Sequence, residues 1–149
     1  KLEMAGASAI NVAGAGGTSW AGVEKLRADM VKDRKKARLG EMFWDWGMPT
    51  AASLIETRKA VKLPLVASGG LRNGLEVAKC IALGASMAAM AYPFLKAAAQ
   101  SREALFEFAD SVLAELRSSM FLVGAANVRA LASSRYILTG ALAQEVSRA

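Results

Sequence analysis

Short apolar segments alternate along the chain with longer segments in which apolar residues recur at helical spacing. The short segments are rich in small and β-branched residues, which is typical of buried strands, and they comprise Ala9–Ala13, Leu65–Ala67 and Ser86–Ala91. Residues Lys1–Gly6, before the first strand, look like the last turn of a helix that ends at a glycine. The pattern therefore predicts three strands.

Helices are predicted after each strand. One is expected to begin near Pro49, because proline is favoured in a first helical turn, and another to run from about Asn73 to Ile81. Ser101 is the predicted N-cap of a long helix that ends at Gly124. The apolar face of this helix consists of Leu105, Phe108, Val112, Leu116 and Met120. One or two shorter helices are expected within residues 127–147.

This alternation of strands and helices predicts an α/β protein with a parallel sheet whose strands are apolar on both faces. The connection from Thr18 to about Gly47 is polar and is predicted to be a long loop. Its basic segment, Lys32–Arg38, can attract polyanions. A solvated loop surface is the favoured interpretation, because acidic residues lie nearby and no motif of a nucleic-acid-binding module is present.

The predicted strand ends carry the candidate chemistry. VAGAGGT (12–18) and LVASGGLR (65–72) both run from an apolar strand into a Gly-Gly pair, at the strand end where α/β proteins bind ligands. The main-chain N–H groups of Gly70, Leu71 and Arg72 are candidates to bind a phosphate, although a Gly-Gly pair also makes an ordinary tight turn. Thr18 is a second candidate phosphate contact.

Two further residues or segments near the strand ends are candidates. The third predicted strand ends at Ala91-Tyr92, which would complete a phosphate cup. Trp20 can form the wall of a ligand site, but packing in the core is the more probable interpretation for this residue alone. Cys80 falls in a helical pattern and is interpreted as an inert core residue.

Composition narrows the possible functions. The chain has 149 residues, 54% of them hydrophobic, so a packed core is expected. The absence of histidine excludes Ser-His-Asp and Cys-His triads and His-ligated metals in this chain. The one cysteine excludes an internal disulfide and fits a reducing, cytoplasmic compartment. The net charge of +6 favours an anionic partner, and no apolar segment approaches the ~18 residues of a membrane span.

Taken together, the motifs VAGAGGTSWAGVE, FWDWGMPTA, LPLVASGGLRNGLEVAKCIALGA and AYPFLKAA resemble, in this order, type 2 isopentenyl-diphosphate isomerase. The resemblance covers almost the whole chain. It implies a TIM barrel that binds FMN, of which residues 1–149 are the C-terminal segment of a single domain, with about three parallel strand–helix units and C-terminal helices. The chain begins without methionine, which is a second reason to expect a fragment.

The resemblance also implies site residues. Thr18 is expected to contact FMN, while Gly70, Leu71, Arg72, Ala91 and Tyr92 are expected to hold its phosphate. Trp20 would belong to a lid over the barrel mouth or to the substrate site. Ala13 replaces a serine that many relatives carry, which removes one expected hydroxyl contact. No catalytic residue or metal ligand is expected in this chain, because the Gln-Glu pair of the family belongs to an earlier strand.

The implied reaction interconverts isopentenyl and dimethylallyl diphosphate, with reduced FMN as acid–base group, NAD(P)H as reductant and Mg²⁺ on the diphosphate. A cytoplasmic homo-oligomer that binds neither membrane nor nucleic acid is expected. An isolated chain of three strands is expected to be inactive, because three strands cannot close a barrel.

Three alternatives remain open at this point. Another FMN barrel, an oxidoreductase, is the nearest, although Ser68 stands where hydroxy-acid oxidases carry a histidine base. A nucleic-acid-binding module built on the basic segment is an alternative of a different class. The third is a truncated barrel without ligand.

Overall fold

The computed structural model describes residues 1–147 and contains a parallel three-stranded sheet in the order β1-β2-β3. The elements are β1 (Ile10–Ala13), α1 (Trp20–Met30), α2 (Arg34–Met42), α3 (Thr50–Ala60), β2 (Leu65–Ser68), α4 (Gly74–Ala82), β3 (Met87–Ala88), α5 (Tyr92–Ala98), α6 (Arg102–Leu122), α7 (Val128–Ala132) and α8 (Gly140–Ser147). The α/β class and the parallel sheet predicted from the sequence are confirmed. No helix in this part of the chain is both long and apolar enough to cross a bilayer.

The register brings the ends of neighbouring strands to one edge of the sheet. Ala13 at the end of β1 pairs with Ser68 at the end of β2, and Ala67 pairs with Ala88 in β3. The β2–β3 ladder continues through the bond from Ala89 N–H to the Ala67 carbonyl, which measures 2.8 Å. Because the strands are parallel, the turns that follow them lie side by side.

Side-chain caps fix where several helices begin. Ser19, Asp33, Asn73, Ser101 and Asn127 each accept a hydrogen bond from a main-chain N–H in the first turn of the helix that follows. Such caps satisfy N–H groups that have no partner within the helix, typically contributing about 1 kcal/mol each. The predicted cap at Ser101 and the predicted helix starts near Pro49 and Asn73 are confirmed.

The core lies between the sheet and its helices, on one face of the sheet only. Val12, Leu65 and Ala67 point to this face and are buried, together with Leu54 of α3 and Ile81 of α4. Alternate strand residues point to the other face, where they remain accessible: Asn11, Ala13, Val66, Ser68 and Met87. The prediction that the strands are apolar on both faces is therefore wrong at Asn11 and Ser68, which lie on the face opposite the helices that contact the sheet.

Three predicted boundaries also need correction. The connection predicted as a loop from Thr18 to about Gly47 contains α1 and α2, because its small residues allow two helices to pack closely. The strand predicted for Ser86–Ala91 is reduced to Met87–Ala88, and Tyr92, which follows the predicted strand, begins α5. Residues Lys1–Gly6 form turns rather than a helix.

Candidate functional site

The two Gly-Gly turns predicted at the strand ends pack directly against each other. A Cβ atom on Gly16 would lie 2.6 Å from the Gly69 carbonyl oxygen, and one on Gly17 would lie 2.8 Å from the Gly70 nitrogen. A Cβ on Gly70 would overlap the Gly16 carbonyl group. Both turns therefore need glycine so that their main chains can approach.

Backbone conformation gives a second reason for glycine in the turn after β2. Gly69 has φ = 101° and Gly70 has φ = 83°, a region that residues with a Cβ rarely adopt. The glycines are thus needed to form a tight turn, as the alternative interpretation states. It does not exclude ligand binding, because the turn leaves main-chain donors without partners among the described residues.

Two of the three predicted phosphate donors have no partner within residues 1–147. Among residues 1–147, the N–H groups of Gly70 and Leu71 donate no hydrogen bond. The N–H of Arg72 is engaged, because it donates to Glu76 Oε2 at 2.7 Å, and the Arg72 guanidinium lies 3.3 Å from Glu76 Oε1. Unpaired main-chain N–H groups beside a helix N-terminus favour an anion.

Thr50 completes this arrangement and was not recognised from the sequence. It is the first residue of α3, and its hydroxyl donates to the Gly69 carbonyl oxygen at 2.6 Å. The only available signal was its position directly after Pro49, which indicates a helix start but not a contact across 19 residues. Thr50 also contacts the turn after β1, because a Cβ on Gly16 would lie 2.9 Å from Thr50 Oγ1.

The third predicted strand end lies at the same edge of the sheet. Tyr92 begins α5, and Ala91 precedes it as the N-cap residue without a side-chain cap. Both residues are exposed, and Tyr92 is 73% accessible. Their position one strand away from Gly70 is compatible with the predicted cup.

Thr18 and Trp20 lie at the base of a helical hairpin formed by α1 and α2. Thr18 is exposed and follows directly on Gly17, so it stays near the paired turns. Trp20 is 77% exposed, so the interpretation of this residue as part of the core is wrong. The Ser19 hydroxyl donates to the Trp44 carbonyl oxygen, which ties the two ends of the hairpin together.

Small residues hold the hairpin helices together. Gly22 packs against the Trp44 ring, and Gly40 packs against Lys25. The Lys25 ammonium lies 3.1 Å from Asp29 and 3.6 Å from Glu41, and the hydrogen bond to Asp29 is the main reason why the pKa of Lys25 is raised. The basic segment Lys32–Arg38 is therefore the turn and first half of a helix, rather than a loop.

A cleft of about 490 Å³ adjoins the turn after β2. Of the predicted site residues, Gly70, Leu71 and Arg72 line it, together with part of α4 and the segment Tyr136–Thr139, whereas Thr18, Trp20, Ala91 and Tyr92 do not. Cys80 also lines the cleft but is buried, and burial is the main cause that raises the pKa of its thiol, with the Glu76 carboxylate as a second cause. This agrees with an inert core thiol.

Comparison with known proteins places the chain in a family of flavin enzymes. Residues 1–138 match the family model of the FMN-dependent dehydrogenases, and the chain belongs to this family. The fold is shared with a mandelate oxidase mutant carrying a monooxide FMN adduct, with a TM-score of 0.68 at 25% identity over 93% of this chain and 37% of the oxidase. A flavocytochrome b2 variant with bound sulfite aligns with a TM-score of 0.56 at 21% identity.

More similar sequences narrow the position within the family. The chain is 53% identical to the isopentenyl-diphosphate delta-isomerase of Methanosarcina acetivorans over 139 residues, and 52% identical to that of a Nostoc species over 135 residues. These alignments cover 93% and 90% of this chain but 38% of each relative. The predicted resemblance to the C-terminal portion of such isomerases is confirmed, and the chain spans a little over a third of their length.

Proposed function

We propose that this chain forms the FMN-phosphate site and a lid of an isopentenyl-diphosphate isomerase. The observation that carries the proposal is that the N–H groups of Gly70 and Leu71, at the sheet edge where three strand ends meet, have no partner among the residues that the structure describes. The ligand class is inferred from membership of an FMN-dependent family. The reaction is inferred from the isopentenyl-diphosphate isomerases, of which the one from Methanosarcina acetivorans is 53% identical to this chain. The substrate is then isopentenyl or dimethylallyl diphosphate.

The residues fit the phosphate group of FMN. Gly70 and Leu71 supply main-chain donors, and hydrogen bonds to a charged acceptor contribute about 1.5–3 kcal/mol each. Arg72 adds positive charge, although Glu76 compensates part of it. In this proposal Ala91 and Tyr92 close the other side of the cup, and Thr18 donates its hydroxyl. When bound, reduced FMN supplies the group that exchanges a proton with the allylic substrate.

The α1–α2 hairpin is proposed to cover the flavin. The Ser19–Trp44 hydrogen bond closes its base. The segment that follows it is held to the turn after β1, where the Ala15 N–H donates to the Met48 carbonyl oxygen at 2.9 Å. Trp20 and Trp46 are exposed by 77% and 81%, as expected for apolar groups that need a ligand or another part of the protein to cover them. A closed hairpin would exclude water from the reacting atoms.

The remaining parts of the site are proposed to come from further strands of the same barrel. The accessible sheet face, with Asn11, Val66 and Met87, corresponds to a barrel interior, which is filled with side chains when the barrel is complete. Contacts to Mg²⁺ and to NAD(P)H are assigned to those further strands. We therefore expect no isomerase activity from these residues alone, and assembly into a homo-oligomer is expected for the complete barrel.

The phosphate site can be tested by comparing two ligands. FMN and riboflavin share the flavin ring and differ in the phosphate, so fluorescence titration of the 149-residue chain should give at least tenfold tighter binding for FMN. Arg72→Ala should reduce this difference, whereas the control Arg129→Ala, on α7, should not. Equal affinity for FMN and riboflavin would contradict a phosphate site.

The reaction is tested in a chimera. Replacing the matching segment of the Methanosarcina acetivorans isomerase with this chain would restore a complete barrel. The chimera should convert isopentenyl to dimethylallyl diphosphate once its flavin is reduced. Reduction of its flavin by 2-hydroxy acids, without isomerisation, would instead support an oxidoreductase. The structure does not favour that alternative, because Ser68 stands where hydroxy-acid oxidases carry a histidine base. The Ser68 hydroxyl donates to Asn11 Oδ1 at 2.6 Å.

A further inference from the structure

Thr50 occupies the junction between the two Gly-Gly turns. Its hydroxyl donates to the Gly69 carbonyl oxygen at 2.6 Å, a contact between residues 19 positions apart. Cβ atoms added to Gly16 or Gly69 would lie 2.9 Å or 3.0 Å from Thr50 Oγ1, so both turns close around this side chain. Thr50 is half-buried, and the resemblance to known isomerases gave it no role.

The hydroxyl of Thr50 does not serve its own helix. A threonine at a helix start commonly accepts a hydrogen bond from the first turn. Here Pro49 is the N-cap residue, and α3 has no side-chain cap. The Thr50 hydroxyl instead donates to the turn after β2, so its hydrogen bond joins α3 to that turn.

Anchoring the Gly69 carbonyl also orients the Gly70 N–H group. The two belong to one planar trans peptide, so the C=O and N–H bonds point in opposite directions. With the carbonyl held by Thr50, the Gly70 N–H must point away from Thr50. Between two glycines, each able to adopt φ of either sign, the peptide has little intrinsic preference for one orientation.

We propose that Thr50 is a positioning residue that holds the Gly69–Gly70 peptide in the orientation needed for the Gly70 N–H to bind phosphate. The inference rests on the proposed FMN site and deepens it, because it names what fixes the donor before the ligand arrives. Preorganised donors bind an anion more tightly than donors that must reorient on binding. Without the hydroxyl, the peptide would sample other orientations.

Three substitutions in α3 test this role. Thr50→Val removes the hydroxyl with little change in shape, Thr50→Ser retains the hydroxyl, and Thr57→Val is the matched control. Thr57 is also half-buried in α3, but its hydroxyl donates to the Ser53 carbonyl at 2.7 Å within the helix. In the full chain, Thr50→Val should weaken FMN binding roughly tenfold, the size of one lost hydrogen bond. Thr50→Ser and Thr57→Val should stay within about twofold of the parent chain.

A second measurement needs no flavin. Residual dipolar couplings report the orientation of the Gly70 N–H bond in the ligand-free chain, and they should change in Thr50→Val but not in Thr50→Ser or Thr57→Val. Unchanged couplings in Thr50→Val would overturn the positioning role, and so would equal loss of FMN affinity in the valine and serine variants. If the parent chain does not distinguish FMN from riboflavin, the proposed function fails, while the couplings still decide whether Thr50 orients this peptide.

Discussion

Substituting alanine for Gly70 tests the packing of the two turns most directly. The new Cβ would overlap the Gly16 carbonyl group and lie 2.9 Å from Gly16 Cα, which is main chain and cannot rotate away. The substitution also places a residue with a Cβ at φ = 83°. Two separate costs are therefore expected, one from conformation and one from overlap.

The two costs can be estimated separately. A left-handed conformation costs a residue other than glycine about 1–2 kcal/mol. Forcing extra atoms into a packed site typically costs about 1–3 kcal/mol. Gly70→Ala should thus lower the free energy of unfolding by about 2–5 kcal/mol, a large fraction of the stability of a small domain.

Gly124→Ala is a control that isolates the conformational cost. Gly124 has φ = 70°, and a Cβ built on it meets no atom within 4 Å. Urea unfolding followed by circular dichroism should therefore show a loss of about 1–2 kcal/mol for Gly124→Ala and a clearly larger loss for Gly70→Ala. Equal losses in the two variants would refute the inference that the turns are packed main chain to main chain.

Three further predictions concern α4. Asn73→Ala should lower the free energy of unfolding by about 1 kcal/mol, because Asn73 accepts the Glu76 N–H at 2.8 Å as N-cap; urea unfolding would measure it. Glu115→Ala should cost more, about 1.5–3 kcal/mol by the same method, because its carboxylate accepts the Gly74 N–H at 2.6 Å in a half-buried contact. Cys80 should react with iodoacetamide at pH 8 at least about tenfold more slowly in the folded chain than in urea, because burial raises the pKa of its thiol and hides it; equal rates would contradict this.

The short-range features of the fold were predictable from the sequence. Asn73 and Ser101 act through hydrogen bonds to neighbouring residues, and Pro49 acts through its own restricted backbone, so a local pattern predicts where their helices begin. The β2 strand and its Gly-Gly turn were predicted for the same reason. These signals require no knowledge of distant residues.

The helical hairpin was missed because its stability comes from pairing. The buried residues of α1 and α2 are the small residues Gly22, Ala28 and Gly40, while larger apolar residues such as Leu26 and Met42 stay exposed. A search for a single apolar stripe fails when glycine and alanine form the buried face. The charged residues of Lys32–Arg38 then look like a loop, although Asp33 caps a helix there.

The contact of Thr50 with Gly69 was missed for a different reason. Which carbonyl a hydroxyl reaches depends on how α3 packs beside β2, and no local pattern encodes that distance. The same holds for the engagement of the Arg72 N–H by Glu76. Of the predicted donors, Gly70 and Leu71 are the ones that the structure leaves without partners among residues 1–147.

Tight packing and phosphate binding are not rival explanations for the glycines, because the structure links them. The space that a Gly70 side chain would fill holds the Gly16 carbonyl group, so the absence of a side chain serves the packing of the two turns. Within these packed turns, the Thr50 hydroxyl donates to the Gly69 carbonyl oxygen. The N–H of the same peptide, which belongs to Gly70, therefore points in the opposite direction. A donor that is fixed in this way, and has no partner in the described part of the chain, is available to an anion. The glycines therefore support a phosphate site indirectly, through the main-chain contacts that they allow.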